Sequence, residues 1–135
     1  MRTRSVEWLL SCLMLMWGVI LLAPSESFTN PAYRWLAAIG EERVWGAIAF
    51  SVGALRIVAL YINGSWRRTP LIRAFGAVMG LTWWVSVGAL LIFGVDPGRP
   101  LPAGFAFYPV FALFEVYSCY RSGLDAREYD ALRRR

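Results

Sequence analysis

The stretch 44–95 decides the fold: VWGAIAFSVGALRIVALYI (44–62), NGSWRRTPLIR (63–73) and AFGAVMGLTWWVSVGALLIFGV (74–95). Two apolar runs flank a turn that carries Arg67, Arg68 and Arg73. At about 1.5 Å of rise per residue each run reaches roughly 30 Å as a helix, the thickness of a hydrocarbon core. The charges and irregular backbone of the turn need water rather than lipid. The stretch therefore reads as two membrane-spanning helices joined by a basic hairpin.

Toward the N-terminus, the basic start Met1-Arg-Thr-Arg4 leads into an apolar run over 7–23. A retained first span is the expectation. A cleaved signal peptide is the alternative, with small residues at Ala23 and Ser25 for a peptidase. In the connection 25–43, Asn30-Pro31 reads as an N-cap followed by proline at the first helical position, and Gly40 as a stop. Tyr33, Trp35, Leu36 and Ile39 beside Arg34 point to a short helix in the headgroup layer, or to a structured loop capping the bundle. Glu41 and Glu42 stand where the next span begins, and acidic side chains there suit the positive end of a helix dipole.

Toward the C-terminus, Pro100 and Pro102 hold the chain extended until a helix starts near Ala103. The fourth apolar run covers 101–120, and Pro109 within it predicts a kink or an early break. The charged tail 121–135 ends in Arg133, Arg134 and Arg135, and reads as a frayed surface helix or as disordered. The expected fold is all-α: a single membrane domain over 1–135, four transmembrane helices in a bundle, and a short interfacial helix in the first external loop.

At 58% hydrophobic residues the chain exceeds the roughly 45–50% of soluble domains. Its net charge of +5 comes entirely from arginine, placed beside apolar segments. That placement fits anionic lipid headgroups, with Arg67, Arg68, Arg73, Arg133, Arg134 and Arg135 as the contacts, rather than nucleic acid. Ten arginines (2, 4, 67, 68, 73, 121, 127 and 133–135) fall on one side of the spans and three (34, 43 and 99) on the other. The positive-inside rule then puts both termini and the 63–73 turn in the cytoplasm.

With no histidine, and with Cys12 and Cys119 both inside apolar runs, neither a disulfide framework nor a metal site is expected. No phosphate-binding loop and no nucleophile–base pair is present, so the chain reads as a non-enzyme without a cofactor.

Ionisable residues inside spans mark the place to look for function. Arg56 lies about 9 Å from the cytoplasmic end of the second span and Glu115 about 7–8 Å from that of the fourth. Arg73 and Glu7 mark the same ends of the third and first. Gly46, Ala49, Gly53 and Arg56 share one helical face, as do Arg73, Gly76 and Gly80, the last two forming a GxxxG match. Glu7, Ser11 and Gly18 share a face of the first span, and Ala112, Glu115, Ser118 and Cys119 one of the fourth. Arg56 and Glu115 are expected to face inward as an ion pair locking the bundle. A polar face used in oligomerisation, and a proton or substrate path, stay open as alternatives.

Several phrases carry a resemblance: Glu42-Arg-Val-Trp-Gly46, Arg56-Ile-Val-Ala-Leu-Tyr-Ile-Asn-Gly64, Arg68-Thr-Pro-Leu-Ile-Arg73, Tyr108-Pro-Val-Phe111 and Tyr120-Arg-Ser-Gly-Leu-Asp-Ala-Arg127. On these the chain resembles small multi-pass membrane proteins of tailed bacteriophages and prophages of Gram-negative hosts. The resemblance implies insertion in the host inner membrane and a role there, in holin-like lysis or in exclusion of competing phage. It implies no catalytic residues. The partners expected are the bilayer and either a second copy or another membrane protein. A structural accessory subunit of a larger membrane complex is the alternative, and a small transporter or channel the third.

Overall fold

The structure is a computed structural model and describes residues 4–24, 26–62 and 69–133. Arg67, Arg68, Arg134 and Arg135, four of the expected headgroup contacts, lie outside them. The described residues form five α-helices: α1 (Arg4–Leu22), α2 (Arg34–Ile39), α3 (Glu42–Ile62), α4 (Thr69–Gly94) and α5 (Phe107–Arg133). Three 3-10 turns, Ser27–Thr29, Pro31–Tyr33 and Ala103–Ala106, complete the described secondary structure, and no strand occurs among the described residues.

Among the described residues three segments are long and apolar enough to cross a membrane: Ser5–Leu22, Glu42–Ile62 and Ile72–Gly94. The fourth run falls short because α5 starts only at Phe107 and its second half is charged. The tail does not fray at Arg121; α5 continues to Arg133 without interruption. Arg, Leu, Ala and Glu are good helix formers, and they dominate that segment. Pro109 produces no kink or break. It occupies the third position of α5, within the first turn, where a backbone N–H would have no partner inside the helix.

Buried positions recur every three or four residues on each long helix, which gives each one inward face. On α1 they include Glu7, Leu10, Ser11, Met14 and Leu21; on α3 Gly46, Ala49, Gly53, Arg56 and Leu60. On α4 they include Ala77, Trp84, Val87 and Leu91, and on α5 Ala112, Glu115, Ser118 and Ser122. The bundle is built from two antiparallel pairs. α1 lies along α3 and α4 along α5, while α3 and α4, although consecutive, touch far less.

Glycines set the closeness of the first pair. A Cβ on Gly18 would run into the Phe50 backbone, and one on Gly53 would come within 2.6 Å of the Leu15 nitrogen. Gly46 is tight against Leu21 and Leu22 at 3.0 Å. At Gly18 and Gly53 the nearest atoms are backbone, so no side-chain adjustment would relieve those contacts. Gly46 and Gly53 thus sit at the contact of α3 with α1, and Ala49 is buried in the core beside Met14, Trp84 and Ala112.

The end opposite the termini is closed by a cap. Asn30 accepts a hydrogen bond from the Ala32 N–H at 3.0 Å and starts the Pro31–Tyr33 turn, which runs on into α2. Gly40 ends α2 in an extended conformation, its N–H donating to the Leu36 carbonyl. Glu42 does more than face a helix dipole. Its carboxylate accepts the N–H groups of Ser27 and Phe28, both at 3.1 Å, and so ties the connection to the first turn of α3. The Trp45 indole donates to the Leu36 carbonyl at 3.1 Å and the Trp35 indole to that of Phe93 at 3.0 Å. Leu36 is fully buried against Val87 and Leu91, so α2 is seated on α4 while Trp35 and Ile39 face outward. Burial, assisted by the nearby Glu42 carboxylate, pushes the Tyr33 phenol above its ordinary pKa.

Candidate functional site

The inward faces converge on a set of charges in the half of the bundle nearer the termini. The third of the buried 3- and 4-residue steps on α3 delivers Arg56, and the same rhythm on α5 delivers Glu115. Their side chains meet in a two-pronged pair, Nη1 to Oε1 at 2.5 Å and Nη2 to Oε2 at 2.8 Å. Arg56 is 8% exposed and Glu115 not at all. A planar guanidinium against a carboxylate in this geometry is a strong charge-assisted arrangement, and a guanidinium stays charged in proteins.

The pair spans the bundle diagonally, since α3 and α5 belong to different helix pairs. The space it crosses is provided by α4. A Cβ on Gly80 would collide with the Glu115 carboxylate and the Arg56 guanidinium, and one on Gly76 would touch the Arg56 side chain at 3.5–3.8 Å. The GxxxG match on α4 thus makes room for a salt bridge between two other helices. A side chain at Gly80 would force the charged ends of both residues to move, while Gly76 has ordinary clearance.

Arg73 departs from the expected headgroup role. Its side chain is 7% exposed and turned into the bundle. Nε donates to both Glu7 oxygens at 3.1 and 2.8 Å, Nη2 donates to Glu7 Oε1 at 2.6 Å, and Nη1 donates to Asp125 at 2.9 Å. Arg133, the one member of the terminal arginine run inside the described residues, closes α5.

Both internal guanidiniums therefore reach carboxylates of the opposite helix pair: α3 to α5, and α4 to α1. Sequence spacing brings Arg56 and Glu115 to one depth, but Asp125 escapes it. The signal was available, because 115, 118, 122 and 125 continue one face by steps of three, four and three once the helix is carried past Tyr120.

Between these carboxylates the α5 face carries Ser118 and Ser122, whose buried hydroxyls have no hydrogen-bond partner among the described residues; nor has Arg121 Nε. Ser11, on α1, donates to the Glu7 carbonyl at 2.7 Å. Chemically the site is a set of neutralised charges fixed in place. Among the described residues no three His, Cys, Asp or Glu side chains are grouped to hold a metal ion. Cys12 and Cys119 are both free thiols.

Toward the cap the interior changes character. Trp17 and Trp45 meet Trp83 edge-on at 5.4 and 5.6 Å, and Trp84 packs on Phe111 at 4.9 Å and on Tyr108 at 6.1 Å. The Trp83–Trp84 dipeptide is accordingly core. Neither a family model, nor a curated protein, nor a solved structure matches the chain.

Proposed function

We propose that the chain is a non-enzymatic integral membrane protein of a bacterial inner membrane. In this reading it is a four-span bundle with both ends in the cytoplasm, working as a self-contained accessory module that docks onto another membrane protein. One observation carries this reading: both internal guanidiniums are neutralised by carboxylates of the same chain. Neither Arg56 nor Glu115 is left as a free charge to line a pore or to recruit a second copy, and the outward faces of α1, α3 and α4 are largely apolar. Association then falls to the aromatic and aliphatic exterior, as in a subunit buried against a partner.

The fourth span is supported by length and by burial. From Phe107 to Tyr120, α5 supplies about 21 Å, and the preceding 3-10 turn adds about 8 Å at its larger rise. Glu115 lowers the hydropathy of this segment without meeting lipid, because it is wholly enclosed. The arginine asymmetry supports the orientation. The resemblance to phage-encoded membrane proteins keeps an exclusion role within this reading.

Holin-like lysis is the second reading. It draws on the same resemblance but requires the paired charges to separate and face a lumen. Controlled expression in a Gram-negative host, with viable count and membrane potential followed together, separates the two. Unchanged growth with an intact potential is expected. Abrupt depolarisation, with release of a cytoplasmic enzyme once a muralytic enzyme is co-expressed, would put lesion formation in its place.

A further inference from the structure

We propose that the cleft between α3 and α4 holds one acyl chain of a phospholipid from the cytoplasmic leaflet. The proposal rests on the membrane reading given above. α3 and α4 are neighbours in sequence but diverge, and between them lies a cavity of about 130 Å³. Its outer walls are apolar, with Leu55 and Ala59 on one side and Phe75 and Met79 on the other. Arg56, Arg73 and Glu7 form its inner wall.

Three features choose the occupant. The first is charge: every ionised group on the inner wall is already paired within the chain, so the cleft offers no free charge to a charged ligand. The second is shape. The lining runs from Val52 to Leu60, about 12 Å along the helix, so its volume is a slot one chain wide. A helix is about 10–12 Å across and does not fit, whereas an apolar cavity of about 150 Å³ is known to stay dry and to accept benzene. The third is direction. Leu55 and Phe75, on the rim, are 69% and 66% exposed, so the slot opens sideways between two helices apolar enough to cross a membrane.

Gly76 strengthens the case. It lines the cleft, and unlike Gly18 and Gly53 it has no close backbone contact that demands a glycine, a Cβ there meeting only the Arg56 side chain at 3.5–3.8 Å.

The test is photolabelling of the full chain in phosphatidylcholine vesicles with a phospholipid bearing a diazirine on its acyl chain, with adducts mapped by mass spectrometry. Adducts on Leu55, Ala59, Phe75 and Met79 should exceed several-fold those on the outward Leu113 and Phe93, which are at least as exposed. Ala59→Phe and Gly76→Leu, made separately, should each bring the cleft adducts down to the outward level while helicity by circular dichroism is kept. Adducts spread over all outward faces of the unaltered chain would overturn the proposal, whatever the variants do. Extraction of the chain from the vesicles by alkaline carbonate would instead overturn the membrane reading beneath it.

Discussion

The two halves of the bundle interior are held together differently. Near the cap the core is a jigsaw of rings and branched side chains: Trp17, Trp45, Trp83 and Trp84 with Tyr108 and Phe111, and Leu36 driven between Val87 and Leu91. Near the termini two arginines and three carboxylates replace the rings, α4 gives up side chains at Gly76 and Gly80, and a cleft opens between α3 and α4. Packing is short-ranged, so in the first half each helix must touch its neighbour. A long guanidinium arm reaches across the bundle, so in the second half α3 and α5 are joined without touching closely. The charged half can therefore be specific about which helices meet while leaving space between them.

If that contrast is right, the largest effect comes from leaving one internal charge alone. Glu115→Ala strands Arg56 in the interior and should lower stability by about 3–5 kcal/mol, because an uncompensated buried charge is the expensive state. The double change Arg56→Met with Glu115→Leu should restore most of that loss, since an apolar pair of similar volume needs no partner. Unfolding in mixed detergent micelles reads both. If the losses of Arg56→Met and Glu115→Leu made singly simply added in the double change, the two residues would not act as a pair.

Next in size is a comparison of glycines. Gly18→Ala drives a methyl group into the Phe50 backbone and should cost about 1–3 kcal/mol as overpacking. Gly80→Ala should weaken the bundle for a different reason, by displacing the Arg56–Glu115 pair. Gly76→Ala meets only the flexible stem of Arg56 and should stabilise by about 0.5–1 kcal/mol, the ordinary gain of alanine over glycine inside a helix. A loss at Gly76 as large as at Gly18 would show that the α3–α4 interface is tighter than the cleft implies.

How much of this was legible in the sequence follows from what local spacing can and cannot encode. The α3 face was legible in full: Gly46, Ala49, Gly53 and Arg56 recur at helical intervals, and all are buried. The inward turn of Glu115 followed from the same rule. The purpose of Gly76 and Gly80 was not legible, because a GxxxG match looks the same whether a helix backbone or a distant salt bridge fills the gap. Nor was the burial of Arg73. A lone arginine at a helix end reads as a headgroup contact until two carboxylates from other helices, Glu7 and Asp125, are known to lie against it. The drop in hydropathy at Arg121 marks where an apolar surface ends, and helices do not have to end there.

At the cap, Asn30→Ala removes the acceptor for the Ala32 N–H and should cost about 1 kcal/mol, typical of a lost N-cap. The effect should stay local. Hydrogen exchange ought to quicken over the Pro31–Tyr33 turn and α2 and leave the α1–α3 contact unchanged. Loss of protection along α3 would mean that the cap holds the bundle together instead of resting on it.

The smallest effect tests how far the charged half extends along α5. Asp125 is 37% exposed and takes one hydrogen bond from Arg73, which keeps both of its stronger connections to Glu7. Asp125→Asn retains an oxygen that can accept that bond and changes only a partly solvated charge, so the cost should stay below about 1 kcal/mol. Its signature should be faster amide exchange at the C-terminal turns of α5, with the Arg56–Glu115 turns unaffected. Were Asp125→Asn instead to cost as much as Glu115→Ala, the extension of α5 beyond Tyr120 would be part of the clasp between the two helix pairs. The charged half would then be a single cooperative network, and separate pairs would no longer describe it.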